Sequence, residues 1–486
     1  MGEKLGHLKP QPMWDIFEEI CARPRPSKQE EAVVEYVLEF CDQHGLEYLR
    51  DDAGNIIIRV PATPGFEDKK TVILQGHLDM VCEKNTGVEF DFETEGIRPW
   101  IDGDWVKAEG TTLGADNGIG AAAALAVAID DTVEHGPLEI LLTLDEETGL
   151  TGATNLGTDI LDGDFLLNLD SEEIGEIYIG CSGGRDTKGR IAYTPEEAPD
   201  GYGYYEISVT GLKGGHSGLD IHQGRGNAIK ILGRILNTLT EHYVVSLGEV
   251  NGGSKRNAIP REAFAIVAVD PEDDSAVQEE VIEFEKTIKE ELGSVEPNVR
   301  VVMRKLDEPR EVLDEVAEDL VILTINALPH GVLKMSADIP GLVETSTNLA
   351  TIVTKDGEVE FGTSQRSSVE SEIEEAVTMV SSVFQLAGAI VETADGYPGW
   401  KPDVNSEILK VAKDAYKSLY GKVPEVKAIH AGLECGIIKE KYPHIDMISF
   451  GPTMTGVHSP DEQLNIPSVE KFWHHLTRIL ETVPER

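Results

Sequence analysis

Short apolar runs alternate with helical patterns in the first part of the chain. Four of these runs have the length and the branched apolar residues of buried strands. They lie at residues 55–60, 71–75, 138–144 and 165–169. A helix is predicted after Ser27 and Glu30, which have the spacing of a capping box, and another at the alanine-rich residues 118–129. Strands that alternate with helices are typical of an α/β layer around a parallel or mixed sheet.

From about residue 186 the pattern changes to half-exposed strands and amphipathic helices, which indicates an α+β domain. The predicted strands are 205–210 and 263–269, and the predicted helices are 227–239, 275–292 and 369–386. Whether this part contains two similar halves is left open. After the turn-rich residues 393–403 the α/β pattern returns, with a strand at 445–450. The simplest organisation is one α/β domain, residues 1–185 and 397–486, interrupted by an inserted domain at 186–396.

The composition indicates a globular protein with a strong negative charge. Acidic residues number 88 and basic residues 42, which gives a net charge of −46. This charge repels a phosphate backbone and an anionic membrane surface, so neither is an expected partner; a salt-rich host would be another source of the acidity. No apolar run approaches the roughly 18–20 residues of a membrane span. The five cysteines are far apart and form no C-x-x-C pair, so the cytoplasm is the expected location.

Acidic and imidazole side chains follow the predicted strands at the points where the strands end. They are His77 and Asp79 after the second strand, Glu146 and Glu147 after the third, Asp170 after the fourth, and His458 in the loop after 445–450, with Asp116 just before the alanine-rich helix. In open α/β sheets the carboxyl ends of the strands form the ligand crevice. We therefore expect these side chains to converge.

So many carboxylates in one place are costly unless a cation neutralises them. Two imidazoles with several carboxylates suit zinc or manganese. The number of ligands exceeds what one ion needs, and this favours two ions that share a bridge. Paired ions can generate a hydroxide for hydrolysis, and the spare carboxylate of the Glu146–Glu147 pair would then be available as a general base.

At this point several motifs resemble a known family. The strings GHLDMV, LGADNG, DEETG, NLDSE and GVHSPDE are similar to those of the co-catalytic di-zinc metallopeptidases. The strings GGHSG, RNAIPRE and HAGLECG resemble the aminoacylhistidine dipeptidase (Xaa-His dipeptidase, carnosinase-like) branch. The likeness extends from about residue 6 to residue 466. It implies a zinc-peptidase-like catalytic α/β domain, with its mixed sheet between helices, and an α+β lid domain as the insertion.

The resemblance also implies roles for individual residues. The implied metal ligands are His77 and Asp170 for one zinc, Glu147 and His458 for the other, and Asp116 as the bridge. Asp79 would orient His77. Glu146 would take a proton from the metal-bridging water and return it to the leaving amine.

Three residues of the inserted domain complete the implied site. His216 of GGHSG would support the developing oxyanion. Asn257 of RNAIPRE and Arg366 would help to hold the substrate, Arg366 through the terminal carboxylate.

The resemblance implies a dipeptidase with two divalent ions, zinc before manganese or cobalt. Its substrates would be small dipeptides, Xaa-His compounds such as carnosine among them, and a homodimer is left open. An N-acyl amino-acid deacylase with the same metal site is the main alternative. A non-catalytic regulator on the same scaffold would be expected to lose Glu146 or a ligand, and the sequence keeps them all.

Plainer interpretations of the same residues exist. Acidic residues such as Glu146 and Glu147 are also favoured at helix N-termini by the helix dipole. Asp116 with the following Asn-Gly would make an ordinary turn, and His216 would sit in a glycine-rich hairpin. The chain has no Walker or H-E-x-x-H motif, and its Gly118-Ile119-Gly120 lacks the third glycine of a dinucleotide fingerprint.

Overall fold

A computed structural model describes residues 5–308 and 310–486. The chain forms two compact units. The first comprises residues 5–181, 400–428 and 433–486, and the second comprises 182–399 and 429–432. The second unit is therefore inserted into the sequence of the first. That it serves as a lid stays a prediction.

The N-terminal part of the first unit alternates strands and helices, as its apolar pattern predicts. After a short 3-10 helix at Leu5–His7, its elements are α1 Gln11–Cys21, α2 Glu31–His44, β1 Glu47–Arg50, β2 Ile56–Val60, β3 Val72–His77, β4 Pro99–Asp102, β5 Trp105–Ala108, α3 Ala115–Val127, β6 Leu138–Thr143, α4 Glu146–Gly149, α5 Thr151–Asn155, β7 Phe165–Asn168 and β8 Glu176–Cys181.

The predicted capping box is wrong. Helix α2 begins at Glu31, and no side chain caps its N-terminus. The Ser27 hydroxyl donates instead to Asp79 Oδ2 at 2.7 Å. The Glu30 carboxylate accepts the backbone N–H groups of Lys28 and Asp145. Both side chains of the supposed box thus serve tertiary contacts rather than the helix.

Within its described residues, the inserted unit contains long antiparallel strands and four helices. Its elements are β9 Gly183–Ala192, β10 Pro195–Glu197, β11 Gly203–Thr210, β12 Gly215–His216, α6 Ala228–His242, β13 Val245–Gly252, β14 Ala258–Ile259, β15 Ala263–Val269, α7 Asp274–Leu292, β16 Arg300–Leu306, β17 Glu311–Leu313, α8 Glu315–Ala327, β18 Gly331–Met335, β19 Val343–Lys355, β20 Glu358–Ser367, α9 Glu370–Leu386 and β21 Ile390–Thr393.

The C-terminal part returns to the first unit. Its elements are β22 Glu425–Ile429, β23 Asp446–Ser449, β24 Met454–Thr455 and β25 Gln463–Asn465, with helices α10 Glu407–Tyr420, α11 Glu434–Lys441 and α12 Ile466–Thr482. Across residues 5–308 and 310–486, no helix combines the length and the apolar composition that crossing a bilayer requires.

The core of the first unit is an eight-stranded mixed sheet in the order β1-β2-β6-β3-β7-β23-β8-β22. Strand β3 is parallel to β6 and to β7, and β7 is parallel to β23. Because parallel strands end at one edge, residues that follow β6, β3, β7 and β23 lie near one another. Strands β3, β6 and β7 are buried along their whole length, which accounts for their continuous apolar sequences.

Helix α3 packs very closely on this sheet. A Cβ on Gly76 would lie 2.3 Å from Asn117 Oδ1, and a Cβ on Gly120 would lie 2.6 Å from the Leu169 carbonyl oxygen. The glycine and alanine residues of this region therefore let the start of α3 approach the ends of β3 and β7. This approach sets the position of Asp116, the residue before Asn117.

The large sheet of the inserted unit has the order β16-β11-β15-β13-β19-β20-β9-β21. Its two halves repeat one βαββαβ topology: β11-α6-β13-β15-α7-β16 and β9-α8-β19-β20-α9-β21. Strands β13 and β19 join the halves antiparallel. The two similar halves are thus visible in the topology, with the first inserted between β9 and α8 of the second.

Candidate metal centre

The candidate metal centre lies at the carboxyl edge of the parallel strands. His77 is the last residue of β3, and Asp170 comes two residues after the end of β7. Glu146 and Glu147 form the first turn of the short helix α4, which follows β6. The sheet order therefore brings together side chains that are far apart in sequence.

Asp116 is the centre of this group. Its Oδ1 lies 3.0 Å from His77 Nε2, and its Oδ2 lies 3.1 Å from His458 Nε2. The two carboxylate oxygens thus face two different imidazoles. A carboxylate in this position can be shared by two neighbouring cations.

Two sets of possible ligand atoms meet at Asp116. One set is His77, Asp116 and Asp170, and the other is Asp116, Glu147 and His458; within each set the ligand atoms lie within 4.8 Å of one another. His77 Nε2 is 3.4 Å from Asp170 Oδ1, and His458 Nε2 is 3.0 Å from Glu147 Oε2. The structure therefore gathers all five residues that the sequence predicts as ligands. Glu146 joins a third set with His77 and Glu147.

The residues fit a pair of divalent cations. Glu147 Oε1 and Asp170 Oδ1 are buried without a hydrogen-bond partner among the described residues. On the other side of the His77 ring, Nδ1 lies 3.2 Å from the Asp79 carbonyl oxygen. In a neutral ring Nδ1 then carries the proton that is donated to this oxygen, and the lone pair of Nε2 faces the acids. Imidazole nitrogen and carboxylate oxygen are ligands that zinc accepts.

Without a cation two carboxylates of this site, Asp170 and Glu146, resist ionisation. Burial raises the pKa of Asp170 well above its usual range, although His77 partly offsets the effect. Burial likewise raises the pKa of Glu146 well above its usual range, and Asp170, Glu434 and Glu147 add to the shift. For His458 the charged form is favoured, because hydrogen bonds with Asp116 and Glu147 raise its pKa to about 11. The site is strongly suited to positive charge.

Asp79 connects the histidine to the glutamate pair. Its Oδ1 accepts the backbone N–H of Glu146 at 3.0 Å and lies 3.3 Å from His77 Nδ1, while its Oδ2 accepts the N–H of Glu147 at 3.2 Å. Burial opposes ionisation of Asp79, but His77, Ser27 and the Glu146 N–H outweigh it and hold its pKa below the usual range. One carboxylate thus fixes the His77 ring and the start of α4 together.

Glu462 holds the loop that carries Asp116, a role that the sequence does not reveal. Its buried carboxylate accepts four backbone N–H groups. They belong to Leu113, Gly114, Ala115 and Asp116, at 2.7, 2.9, 2.8 and 3.3 Å. The signal in the sequence is only an acid four residues after His458, in a chain with 88 acids.

Arg25 is a second residue that sequence reasoning missed. Its side chain is 1% exposed. It donates through Nη1 to the carbonyl oxygens of Leu78 and Asp79, at 2.9 and 3.0 Å, and through Nη2 to that of Gly114. Arg25 therefore ties the end of β3 to the Asp116 loop, from a position outside every motif.

A row of buried polar side chains crosses the strands beneath the ligands. Glu434 Oε2 accepts from Gln75 Nε2 at 2.6 Å and from Thr143 Oγ1 at 2.7 Å. Gln75 Oε1 in turn accepts from Asn168, whose Oδ1 accepts from Ser449. The strands that carry these residues are β3 for Gln75, β6 for Thr143, β7 for Asn168 and β23 for Ser449. The row therefore links all the strands that carry the site.

His216 and Asn257 lie side by side in the inserted unit. Strand β12 pairs with β14 so that His216 is opposite Ala258, and the Ser217 N–H donates to the Asn257 carbonyl at 2.8 Å. His216 Nδ1 accepts the N–H groups of Gly218 and Leu219 at 3.2 and 3.1 Å. The proton of the neutral ring is therefore on Nε2. Burial, with help from Arg366, lowers the pKa of His216 to about 4 and keeps the ring neutral.

Arg366 is a buried cation without an acidic partner. It is 6% exposed, on β20. Its Nη1 donates to Tyr397 Oη at 2.8 Å and its Nε to Ser217 Oγ at 3.4 Å, and both acceptors are neutral. No described carboxylate forms a salt bridge with it. Buried charges are normally paired, so the guanidinium lacks the anion that would balance it.

The fold and the acid-rich strand edge define a hydrolase of the metallopeptidase class, and comparison with known proteins agrees. The sequence model of peptidase family M20/M25/M40 matches residues 73–482. The chain belongs to this family of metal-dependent peptidases, and its predicted fold class is confirmed.

Two relatives match over the full length. The cytosol non-specific dipeptidase of Escherichia coli K12 is 46% identical over 483 residues, which covers 99% of this chain and 100% of that protein. The crystal structure of aminoacylhistidine dipeptidase from Vibrio alginolyticus superposes with a TM-score of 0.94 at 45% identity and covers 100% of this chain and 99% of that one. Aminopeptidase PepT from Bacillus cereus shares the fold, with a TM-score of 0.58 at 17% identity over 98% and 100% of the two chains.

The Glu462→Gln variant should weaken metal binding without touching a ligand. A glutamine has one acceptor oxygen, so its NH2 group would face two of the N–H groups that the carboxylate accepts. The Asp116 loop should then shift, and metal affinity should fall about 10- to 100-fold, as for other residues that orient ligands. Competition with a chelator measures this affinity, and Asp461→Asn at the exposed neighbour is the matched control. Equal affinities for the two variants would contradict the role of Glu462.

Proposed function

We propose that the chain is a metal-dependent dipeptidase that hydrolyses the peptide bond of dipeptides with a free carboxyl terminus. We expect Xaa-His dipeptides such as carnosine to be among its substrates. The observation that carries the proposal is the geometry of Asp116, whose two oxygens face two separate ligand sets. The names of the Escherichia coli and Vibrio alginolyticus relatives support the substrate class. The five described cysteines are free, which suits the cytoplasm.

The ligand sets divide between two ions, for which we propose zinc, with manganese or cobalt as alternatives. His77 and Asp170 would hold one ion, Glu147 and His458 the other, and Asp116 both. Two such ions lower the pKa of water and polarise a carbonyl oxygen.

Glu146 is proposed as the general base. It lies at the start of α4, where Asp79 fixes its backbone N–H. Burial raises its pKa, and a carboxylate of raised pKa is able to accept a proton and to pass it to the leaving amine at neutral pH.

His216, Asn257 and Arg366 are proposed as the substrate contacts of the inserted unit. The Nε2–H of neutral His216 is a donor for the oxyanion that forms at the attacked carbonyl. Asn257 is an exposed neighbour of His216, free to contact the substrate. The unpaired Arg366 would bind the terminal carboxylate, a group that a dipeptide and an N-acyl amino acid both possess.

Hydrolysis of a small panel tests the function. The panel contains carnosine, Ala-His, Gly-Leu, a tripeptide and an N-acetyl amino acid, each with the chelator-treated protein before and after zinc, manganese or cobalt is added. We expect chelation to abolish cleavage of the dipeptides and metal to restore it. Cleavage of the N-acetyl compound alone would move the function to a deacylase. No cleavage at all, with two ions bound, would favour a regulator.

The Glu146→Gln variant should separate metal binding from turnover. The amide cannot accept the proton, so kcat should fall about 10²- to 10⁴-fold, the usual contribution of a general base. Metal content should stay at the wild-type value, because Glu146 is not among the proposed ligands. Steady-state kinetics and elemental analysis measure the two quantities. Glu173→Gln, at an exposed acid, is the control, and near-wild-type turnover by Glu146→Gln would refute the assignment.

The His216→Ala variant should lose about 10²- to 10³-fold in kcat, the effect of removing one oxyanion donor. His216 has a pKa of about 4, so it should stay neutral and active as a donor above about pH 5. The acid limb of the pH–kcat profile above that value should therefore keep its midpoint in this variant. His242→Gln, on an exposed histidine, is the control. A midpoint that moves only in His216→Ala would show that His216 acts through its charge instead.

A further inference from the structure

Ser346, Arg366 and His430 form one buried cluster in the inserted unit. Ser346 on β19 is the register partner of Arg366 on β20, so the two side chains lie on the same face of the sheet. The Ser346 Oγ is 2.7 Å from His430 Nε2. Gly218 packs between the other two members, since a Cβ there would lie 2.0 Å from the His430 carbonyl oxygen and 3.2 Å from Arg366 Cδ.

Two polar groups of this cluster have no balancing partner. Arg366 has no carboxylate, and its Nη2 forms no hydrogen bond with a described residue. His430 is 5% exposed, and its Nδ1 is buried without a hydrogen-bond partner among the residues that the structure describes. Buried polar atoms nearly always have hydrogen-bond partners and buried charges are normally balanced, so the unpaired Nδ1 and the unbalanced Arg366 charge in one cluster indicate a ligand.

His430 is neutral and has one N–H to offer. Burial lowers its pKa to about 3, and the positive charge of Arg366 adds to the effect. The Ser346 hydroxyl can donate to Nε2, in which case the ring proton is on Nδ1. An acceptor ligand beside Nδ1 selects this tautomer. The cluster then presents a guanidinium and a neutral N–H donor together.

We propose that His430 determines specificity for the free carboxyl terminus: its Nδ1–H donates to the same substrate carboxylate that Arg366 binds. This inference rests on the proposed function and deepens it. A carboxylate has lone pairs for both donors and a charge that balances Arg366. A carboxamide brings no charge and turns an N–H group toward one of the donors. The cluster should therefore reject amidated dipeptides and longer chains.

The experiment compares Ala-His with Ala-His carboxamide in the wild type and two variants. His430→Gln places its amide nitrogen near the position of Nε2 and removes the donor at Nδ1. His430→Asn places its amide nitrogen near Nδ1 and keeps that donor. His222→Gln changes an exposed histidine nearby and is the control.

We expect His430→Gln to raise the KM for Ala-His about 10- to 100-fold, the range of a hydrogen bond to a charged group, with kcat changed less than about threefold. The KM for the carboxamide should not change. His430→Asn should recover part of the loss, and His222→Gln should match the wild type. An equal rise for both substrates, or no rise, would overturn the proposal and leave water as the partner of Nδ1.

Binding of free histidine, a product of the proposed reaction, tests the carboxylate-binding role of the cluster without turnover. Calorimetry should show weaker binding to His430→Gln than to the wild type, and no difference for histidinamide. Equal histidine affinities would overturn the proposal. Should the wild type cleave no dipeptide, the proposed function fails, while this measurement still decides the role of His430. If His430→Gln does not fold, Ser346→Ala, which removes the hydroxyl that orients the ring, should weaken histidine binding about threefold to tenfold.

Discussion

The sharing of Asp116 between two imidazoles is the contact on which the candidate metal centre depends. It requires the start of α3 to lie against the ends of β3 and β7, and Gly76 and Gly120 make that approach sterically feasible. It also requires the Asp116 loop to keep one conformation. Glu462 provides this from the opposite end of the chain, because its carboxylate accepts the successive N–H groups of the loop.

The buried acids of the first unit fall into two kinds. Asp79 and Glu462 are satisfied by backbone N–H groups and by neighbouring side chains, so they are structural anions with partners inside the protein. Glu147 and Asp170 each retain a buried oxygen that accepts no hydrogen bond from a described residue. The hydrogen-bonded carboxylates hold the loops of the site in place. The carboxylate oxygens without hydrogen bonds are costly to bury unless a cation binds them. The division explains how a chain with so many acids can contain a localised candidate metal centre.

The sequence predicts the strands of the site well because each is a continuous apolar run that is recognisable locally. It also locates His77, Glu147 and Asp170, which come just after those runs, while their role as metal ligands stays a prediction. It does not predict Arg25, Glu462 or Glu434, whose partners lie far away in the chain and whose positions follow only from the sheet order. The capping box failed for the same reason: Ser27 and Glu30 have a better partner in the tertiary structure than the helix they precede. Sequence patterns therefore predict contacts between residues that are near one another in the chain. The partners of buried polar residues depend on the tertiary structure instead.

The two units differ in the charge that they leave unbalanced. The first has buried carboxylate oxygens that accept no hydrogen bond from a described residue, and the second has the Arg366 cation without a described carboxylate beside it. The terminal carboxylate of a substrate would balance the charge of Arg366, and a dipeptide and an N-acyl amino acid both have one. The difference between these substrates is the amino end, which is charged only in the dipeptide. Acids beyond the proposed ligands add negative potential around the candidate metal centre, as Glu434 does where its charge opposes ionisation of Glu146. Such a potential attracts an ammonium group and gains nothing from a neutral acyl group, so the charge pattern itself favours the dipeptide.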